Sequence, residues 1–427
     1  MREFFRNKNL HKRILYTLFA FAIYRFGCAL TIPGINAGAL TEGLENMGLL
    51  DMISMMGGGG LDQFSIFSLG ITPYITASII IQLLSMDVVP YFSQLNKDGL
   101  NGRTKLNNYT KYLSVVFALV QSASMIWAIN SQSSSLFIGG ITAQKVIFTT
   151  IVLTAGMIWL VWLSDRIAQK GLGNGMSMII MAGIVSRLPN QLVTAQTSLG
   201  WTGKFWIYIG CLLLILVGVT LMSTVERRIP VQYTSSSAKL TRANNHTNYL
   251  PFKVNSASVI PVIFASSIMM APLQIMAFFP SNEWTTLLNN ILGMKTWYSL
   301  VLYALLVWFF TFFYTSLQMN AEEMAENLDQ SGAYIPNVRP GSETRDYLRK
   351  SISRVTVLGA FGLVIIALLP HLMPLIWKDM PSSMALGGTG LIIVVGVALE
   401  TTKQIRGMLT QNSYKRYFKV AGLKSSE

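Results

Sequence analysis

Trp206-Ile-Tyr-Ile-Gly-Cys-Leu-Leu-Leu-Ile-Leu-Val-Gly-Val-Thr-Leu-Met-Ser-Thr-Val225 runs twenty residues without a charged side chain, and Glu226-Arg-Arg follows at once. At a helical rise of 1.5 Å per residue such a run extends about 30 Å, the thickness of a bilayer's hydrocarbon core. Nine further segments of the same kind lie on either side of it: Ile14–Pro33, Phe64–Leu84, Leu113–Asn130, Lys145–Leu163, Asn174–Leu188, Ala257–Phe279, Tyr298–Gln318, Arg354–Trp377 and Ala385–Thr402. Asn174–Leu188 is the shortest and most polar of them. The composition agrees, with 52% hydrophobic and 12% charged residues over 427 positions and a mean hydropathy of +0.46. A soluble domain carries roughly a quarter charged residues. The reading is an all-α polytopic membrane protein with ten transmembrane helices.

Basic residues set the sidedness. With the N-terminus inside, alternate loops and both termini collect 27 of the 33 Lys and Arg residues. Lys145, Arg187, Lys204, Lys295 and Lys378 fall outside or at outer helix ends, and Arg25 falls within the first span. By the positive-inside rule both termini are expected in the cytoplasm. The net charge of +14 is thus mainly a topology signal, although a basic face also attracts anionic lipid or RNA. No basic stretch is interleaved with aromatics, so specific DNA binding is not expected. Cys28 and Cys211 both fall in spans, which argues against a disulfide framework. The first apolar run ends in Ile32-Pro-Gly without a small-x-small cleavage site, as expected of a retained anchor.

Catalytic and cofactor signatures are missing. His11, His246 and His371 are scattered, without metal-ligand spacing. No phosphate-binding Gly-x-x-x-x-Gly-Lys-Ser/Thr run occurs, and Gly171-Leu-Gly-Asn-Gly175 joins two apolar segments with no strand before it. Neither an enzyme nor a cofactor is expected. Mid-membrane charge is also sparse: Arg25 is the main ionisable residue in a span, and Glu400 lies at the inner end of the tenth. Arg25 reads as a structural partner of a helix end or polar neighbour. An ion-coupled pump would need more such groups.

Leu49–Met56, between the first two spans, is apolar but reaches only about 12 Å as a helix. Four glycines, Gly57, Gly58, Gly59 and Gly60, form a hinge after it. It reads either as a re-entrant half-helix or as an external loop. Ile71 and Ile75 share a helical face in the second span, and Met176 and Ile180 repeat that spacing in the fifth. The seventh offers Ile263 near Ser266-Ser267, and the tenth Ile393 after Gly387-Gly-Thr-Gly. Periodicity alone does not separate these residues from ordinary packing positions. Two cytoplasmic loops, Glu226–Ser256 and Met319–Ser353, are long enough to dock a soluble partner or to serve as solvated connectors. Arg339 stands at a Pro-Gly turn in the second.

Several runs together resemble the SecY family of protein-conducting channels. They are Ile32-Pro-Gly-Ile, Phe67-Ser-Leu-Gly-Ile-Thr-Pro-Tyr-Ile-Thr-Ala-Ser-Ile-Ile-Ile-Gln-Leu-Leu84, Gly171-Leu-Gly-Asn-Gly, Glu226-Arg-Arg-Ile-Pro-Val-Gln-Tyr, Leu250-Pro-Phe-Lys-Val-Asn, Val259-Ile-Pro-Val-Ile-Phe-Ala-Ser-Ser and Glu322–Gly341. The resemblance covers essentially the whole chain, in order. It implies two inverted five-helix halves, residues 1–201 and 202–427, around a central hourglass pore. By motif position it implies a pore ring of Ile71, Ile75, Met176, Ile180, Ile263 and Ile393. It implies a plug built on Leu49, Leu50, Met52, Ile53, Met55 and Met56 with the glycine hinge. Thr72, Thr76, Ser266 and Ser267 fall at its lateral gate, between the second and seventh spans. The implied partners are SecE and SecG subunits, the SecA ATPase, the ribosome, signal sequences and unfolded preproteins, and membrane lipid. Arg339, Lys239 and Arg242 are the implied docking residues, in a bacterial plasma membrane. Met176 replaces the usual isoleucine of the ring. The loop tip Tyr233–Asn245 carries only Lys239 and Arg242 where the family is richly basic, which admits an accessory or duplicated translocase with fewer clients. A secondary solute transporter shares the membrane class and the inverted symmetry but needs a polar site and coupling charges.

Overall fold

The computed structural model describes residues 8–35, 60–61, 63–85, 89–132, 137–138, 140–233, 249–276, 283–294, 296–376 and 382–420. Helices α1 (Lys8–Ala29), α2 (Thr72–Leu84), α3 (Pro90–Lys97), α4 (Gly99–Gln132), α5 (Ala143–Lys170), α6 (Gly175–Leu199) and α7 (Gly203–Thr224) come first. Strands β1 (Glu226–Pro230), β2 (Gln232–Tyr233) and β3 (Tyr249–Lys253) follow. Then come α8 (Ile260–Met276), α9 (Glu283–Leu292), α10 (Trp297–Gln318), α11 (Ala321–Gln330), β4 (Ala333–Tyr334), α12 (Ser342–Ile376) and α13 (Ser382–Val420). Each of the ten expected spans coincides with a helix: α1, α2, α4 to α8, α10, α12 and α13.

Six of these, within α4, α5, α6, α7, α10 and α12, are long and apolar enough to cross a membrane on their own among the described residues. α2 and α8 are apolar but shorter. The expected start of the second span, Phe64, is wrong by eight residues. Gly70 takes a left-handed φ of 56°, and Pro73 sits in the first turn of α2, where its missing N–H costs nothing. Residues 60–61 and 63–71 instead form a run of mostly buried turns. Ile66 donates its N–H to Leu30 O at 3.1 Å, Ile32 to Phe64 O at 3.2 Å, and Ser65 to Gly60 O at 2.8 Å. Ser68 Oγ donates to Gly60 O at 2.9 Å. This is how irregular backbone survives at membrane depth: its polar groups are satisfied inside protein. Gly156 makes room for it, since a Cβ there would lie 2.1 Å from Ile66 O. The fifth span, which looked short, is a 25-residue helix with Pro189 inside it.

The packing repeats. Among the first five spans α2 packs on α4, α4 on α5, α5 on α6, and α1 on both α5 and α6. Among the last five α8 packs on α10, α10 on α12, α12 on α13, and α7 on both α12 and α13. The second set reproduces the first, helix for helix, and because five is odd the copies cross the bilayer in opposite senses. Between the sets α8 meets α2 and α4, while α6 meets α13 and α7.

The described parts of the two long loops fold together as one module, which their sequences did not foretell. β1 pairs antiparallel with β3, from Glu226↔Lys253 to Pro230↔Tyr249, and β2 pairs with β4 across the two loops. Ile229, Phe252, Leu328, Ile335 and Leu348 form its separate apolar core. The Arg228 guanidinium lies 4.6 Å from the centre of the Tyr249 ring. Near the same end of the helices Lys111 Nζ meets Asp165 at 2.6 Å, about a third exposed on each side. Such a pair contributes at most about 1 kcal/mol, so it orients α4 against α5 more than it holds them.

Candidate pore and lateral gate

Ile71 occupies the N-cap position of α2, and its carbonyl accepts the Ile75 N–H at 3.1 Å, so the two side chains stack one turn apart. Met176 stands at the start of α6, where the Asn174 side chain caps its N–H at 3.2 Å; Ile180 follows one turn on. Ile263 lies in the first turn of α8, its N–H held by Val259 O at 3.3 Å. Ile393 comes from α13. The structure brings all six residues, from four helices in both five-helix sets, into one contiguous apolar cluster. Ile71, Ile75, Ile180, Ile263 and Ile393 are each at most 7% exposed, while Met176 packs half-buried against them. Relative to a water-filled pore, burying each isoleucine contributes about 1.5–3 kcal/mol. Ile79, Ile184, Val262 and Ile392 belong to the same cluster, so burial alone marks a larger set than the ring. Among the described residues no Asp, Glu, Lys or Arg is buried.

α8 and α2, which meet between the two sets, both carry polar side chains. Thr76 Oγ1 donates to Thr72 O at 3.2 Å, and Ser266 Oγ to Val262 O at 2.7 Å. Thr72 Oγ1 and Ser267 Oγ are buried without a hydrogen-bond partner in the protein, as is Oε1 of Gln121 on α4. Each such atom costs about 1–3 kcal/mol.

The Gly171–Gly175 run ties the two sets of helices. Leu172 N–H donates to Thr17 Oγ1 on α1 at 3.1 Å, Arg13 Nη1 to Gly171 O at 3.3 Å, and Gly173 N–H to Oε1 of Gln404 on α13. A Cβ on Gly175 would lie 1.9 Å from Ser164 O, so only glycine lets α5 and α6 approach so closely. Arg25 Nη1 reaches Ser186 Oγ at 3.4 Å, the polar neighbour expected of it.

Arg339 is exposed in the loop module. Its carbonyl accepts Thr344 Oγ1 at 2.8 Å, and Gly341 turns the chain with a φ of 98°. The plug residues Leu49, Leu50, Met52, Ile53, Met55, Met56, Gly57, Gly58 and Gly59 lie outside the described residues, as do Lys239 and Arg242. Gly60 is described, and its carbonyl accepts from Ser65 and Ser68. Among the described residues no cluster of His, Cys, Asp and Glu could hold a metal.

A SecY family profile matches residues 65–402 of the chain. Protein translocase subunit SecY 1 of Lactobacillus kefiranofaciens subsp. kefiranofaciens is 41% identical over 429 residues, covering 97% of this chain and 98% of the relative. Protein translocase subunit SecY of Staphylococcus aureus strain NCTC 8325 / PS 47 is 39% identical over 424 residues, with the same coverage. Among solved structures, a protein-conducting channel superposes with a TM-score of 0.59 at 17% identity, covering 95% of this chain and 93% of the other. The yeast Ssh1 complex bound to the 80S ribosome gives 0.64 at 14% identity, covering 92% and 89%. Those superpositions carry the fold, and the relatives over nearly their whole length carry the rest. An apolar cluster gathered from both five-helix sets is what such a channel needs, and the chain belongs to the SecY family of multi-pass protein-translocase subunits, which are channels and not enzymes.

Proposed function

We propose that Ile71, Ile75, Met176, Ile180, Ile263 and Ile393 form the constriction through which unfolded polypeptide passes. The observation that carries this reading is their convergence, from four helices, in one apolar cluster, with no acidic or basic residue buried among the described residues. Closed, such a collar resists wetting and so blocks ions. Open, aliphatic side chains seal around any sequence, because dispersion contacts require no particular partner. Met176 is unbranched and pliable, and loosens the gasket at its position.

The halves are residues 1–201 and 202–427, hinged where α6 meets α7 and α13 and parting where α8 meets α2 and α4. Thr72, Thr76, Ser266 and Ser267 line that lateral gate. Its partnerless buried hydroxyls favour a seam that opens, since parting admits water to them while closure leaves their cost in place. Signal sequences and membrane segments leave through it into lipid, driven by apolar transfer. Residues 49–60 act as the plug, with the clamped Gly60 carbonyl as the fixed end of its hinge. Both termini and the loop module face the cytoplasm of a bacterial plasma membrane, supported by the distribution of basic residues. The module, with Arg339 exposed on it, receives SecA or the ribosome, joined by Lys239 and Arg242, and SecE and SecG complete the complex. The weakly basic tip supports an accessory or duplicated translocase as the second reading.

Photo-crosslinkers at Ile75, Ile180 and Ile263, with a stalled preprotein in the complex, test the constriction. Adducts at all three, with none at the exposed Leu214, are the expected result. Solute uptake without such adducts would favour a transporter.

A further inference from the structure

We propose that the groove between α10 and α12 is a binding site for one acyl chain of an outer-leaflet phospholipid, with helix α9 resting in the interface above it. The groove has a volume of about 560 Å³ and is lined by apolar side chains, including Trp297, Ala304, Trp308, Phe361, Leu368 and Leu375. It lies outside the proposed pore, on a face whose residues are open to the bilayer: Leu305 is 60% exposed and Phe361 65%. The membrane is therefore its surroundings.

Dimensions select the occupant. From Trp297 to Trp308 the helix rises about 16 Å, close to half of a hydrocarbon core of about 30 Å. The groove thus spans one leaflet. A transmembrane helix is about 10–12 Å across, so a length of it matching the groove fills well over 1,000 Å³, more than the groove holds. An extended acyl chain is slender enough to lie in it, and the walls offer it only dispersion and apolar transfer.

A second observation points to the same ligand. α9 carries Trp284, Leu287, Leu288 and Ile291 at i, i+3, i+4 and i+7, one helical face. Thr285, Thr286, Asn289 and Asn290 occupy the other. No residue of α9 is buried, and Trp284 is 77% exposed. An amphipathic helix with its apolar stripe uncovered, joined to membrane helices on both sides, lies in the headgroup boundary. Its end is fixed at the groove mouth. Thr296 Oγ1, at the N-cap of α10, donates to Asn290 O at 2.7 Å, and Met294 inserts into the main core. Trp297 then sits where aromatic side chains meet headgroups. α9 also packs on α8, so the lipid contact reaches the outer end of a gate helix.

The test uses the complex reconstituted in phosphatidylethanolamine–phosphatidylglycerol vesicles doped with a phosphatidylglycerol carrying a diazirine on one acyl chain. After photolysis, labelled peptides are mapped. Labelling of α10 and α12 above that of the exposed face of α4 (Val116, Leu119, Val120) is expected, and Ala304→Trp, which fills the half-buried floor, should remove the excess. Uniform labelling, or an excess undiminished by Ala304→Trp, would reduce the groove to bulk lipid contact and overturn the site. A groove left unlabelled while α4 is labelled would mean a protein segment covers it, which also overturns the site. Should Ala304→Trp fail to assemble, Leu368→Trp narrows the same groove from α12 and is read against the same two outcomes. The excess is read whichever leaflet supplies the lipid, so an error in the proposed orientation would leave it intact.

Discussion

Replacing Ile263 by Asn puts an amide into the collar with the same number of side-chain heavy atoms in a smaller volume. Ile263 is 7% exposed in the apolar cluster, and among the described residues no acidic or basic side chain is buried to pair with the new group. In the closed state the amide leaves polar atoms unsatisfied, at about 1–3 kcal/mol. It also forfeits part of the apolar burial, which is worth about 1.5–3 kcal/mol for the whole side chain. In a wet, open pore both penalties vanish. The closed state should lose about 3 kcal/mol relative to the open one, a shift on the order of 100-fold at 1.4 kcal/mol per decade. Conductance of the complex in planar bilayers reads this as ion leak without substrate. Ile263→Leu has the shape of Asn without its polar atoms and should leave the channel shut. A leak from Asn no greater than that from Leu would refute the assignment of Ile263 to the barrier.

Ser267→Ala removes a buried hydroxyl that has no partner; it should stabilise the closed seam by about 1 kcal/mol and raise signal-sequence stringency, measured as export of preproteins with weakened signals. Gln404→Ala deletes the side chain that accepts the Gly173 N–H; a loss of about 1 kcal/mol in thermal unfolding is expected, with faster protease cleavage between α5 and α6. Arg339→Glu, at an exposed position, should leave assembly and thermal stability unchanged while abolishing ATP-driven export in vesicles; export at the normal rate would remove Arg339 from partner docking.

The ten spans were legible because apolar length is a property of composition, and a helix that buries its backbone in lipid has no alternative partner. The boundaries failed where local chemistry intervened. Phe64–Ile71 is apolar enough to extend α2, but Gly70 and Pro73 start the helix at Thr72, and the turns that replace it are held by the nearby Gly60 carbonyl and by that of Leu30, distant in sequence. The ring positions were named from motif resemblance, and the packing shows why periodicity could not do so: Ile79 and Ile392 are as well buried as Ile75 and Ile393. The pairing of β2 with β4 was not legible at all, since two-residue strands carry no pattern. Gly171–Gly175 resembles a phosphate-cradling run only superficially; its backbone N–H groups serve Thr17 and Gln404.

Imaging the complex by electron cryo-microscopy, arrested with a preprotein midway through transport, tests the constriction most directly. Extended polypeptide density threading between α2, α6, α8 and α13, in contact with the side chains of Ile75, Ile180, Ile263 and Ile393, is the expected result. Density that bypasses a still-closed apolar cluster would contradict it.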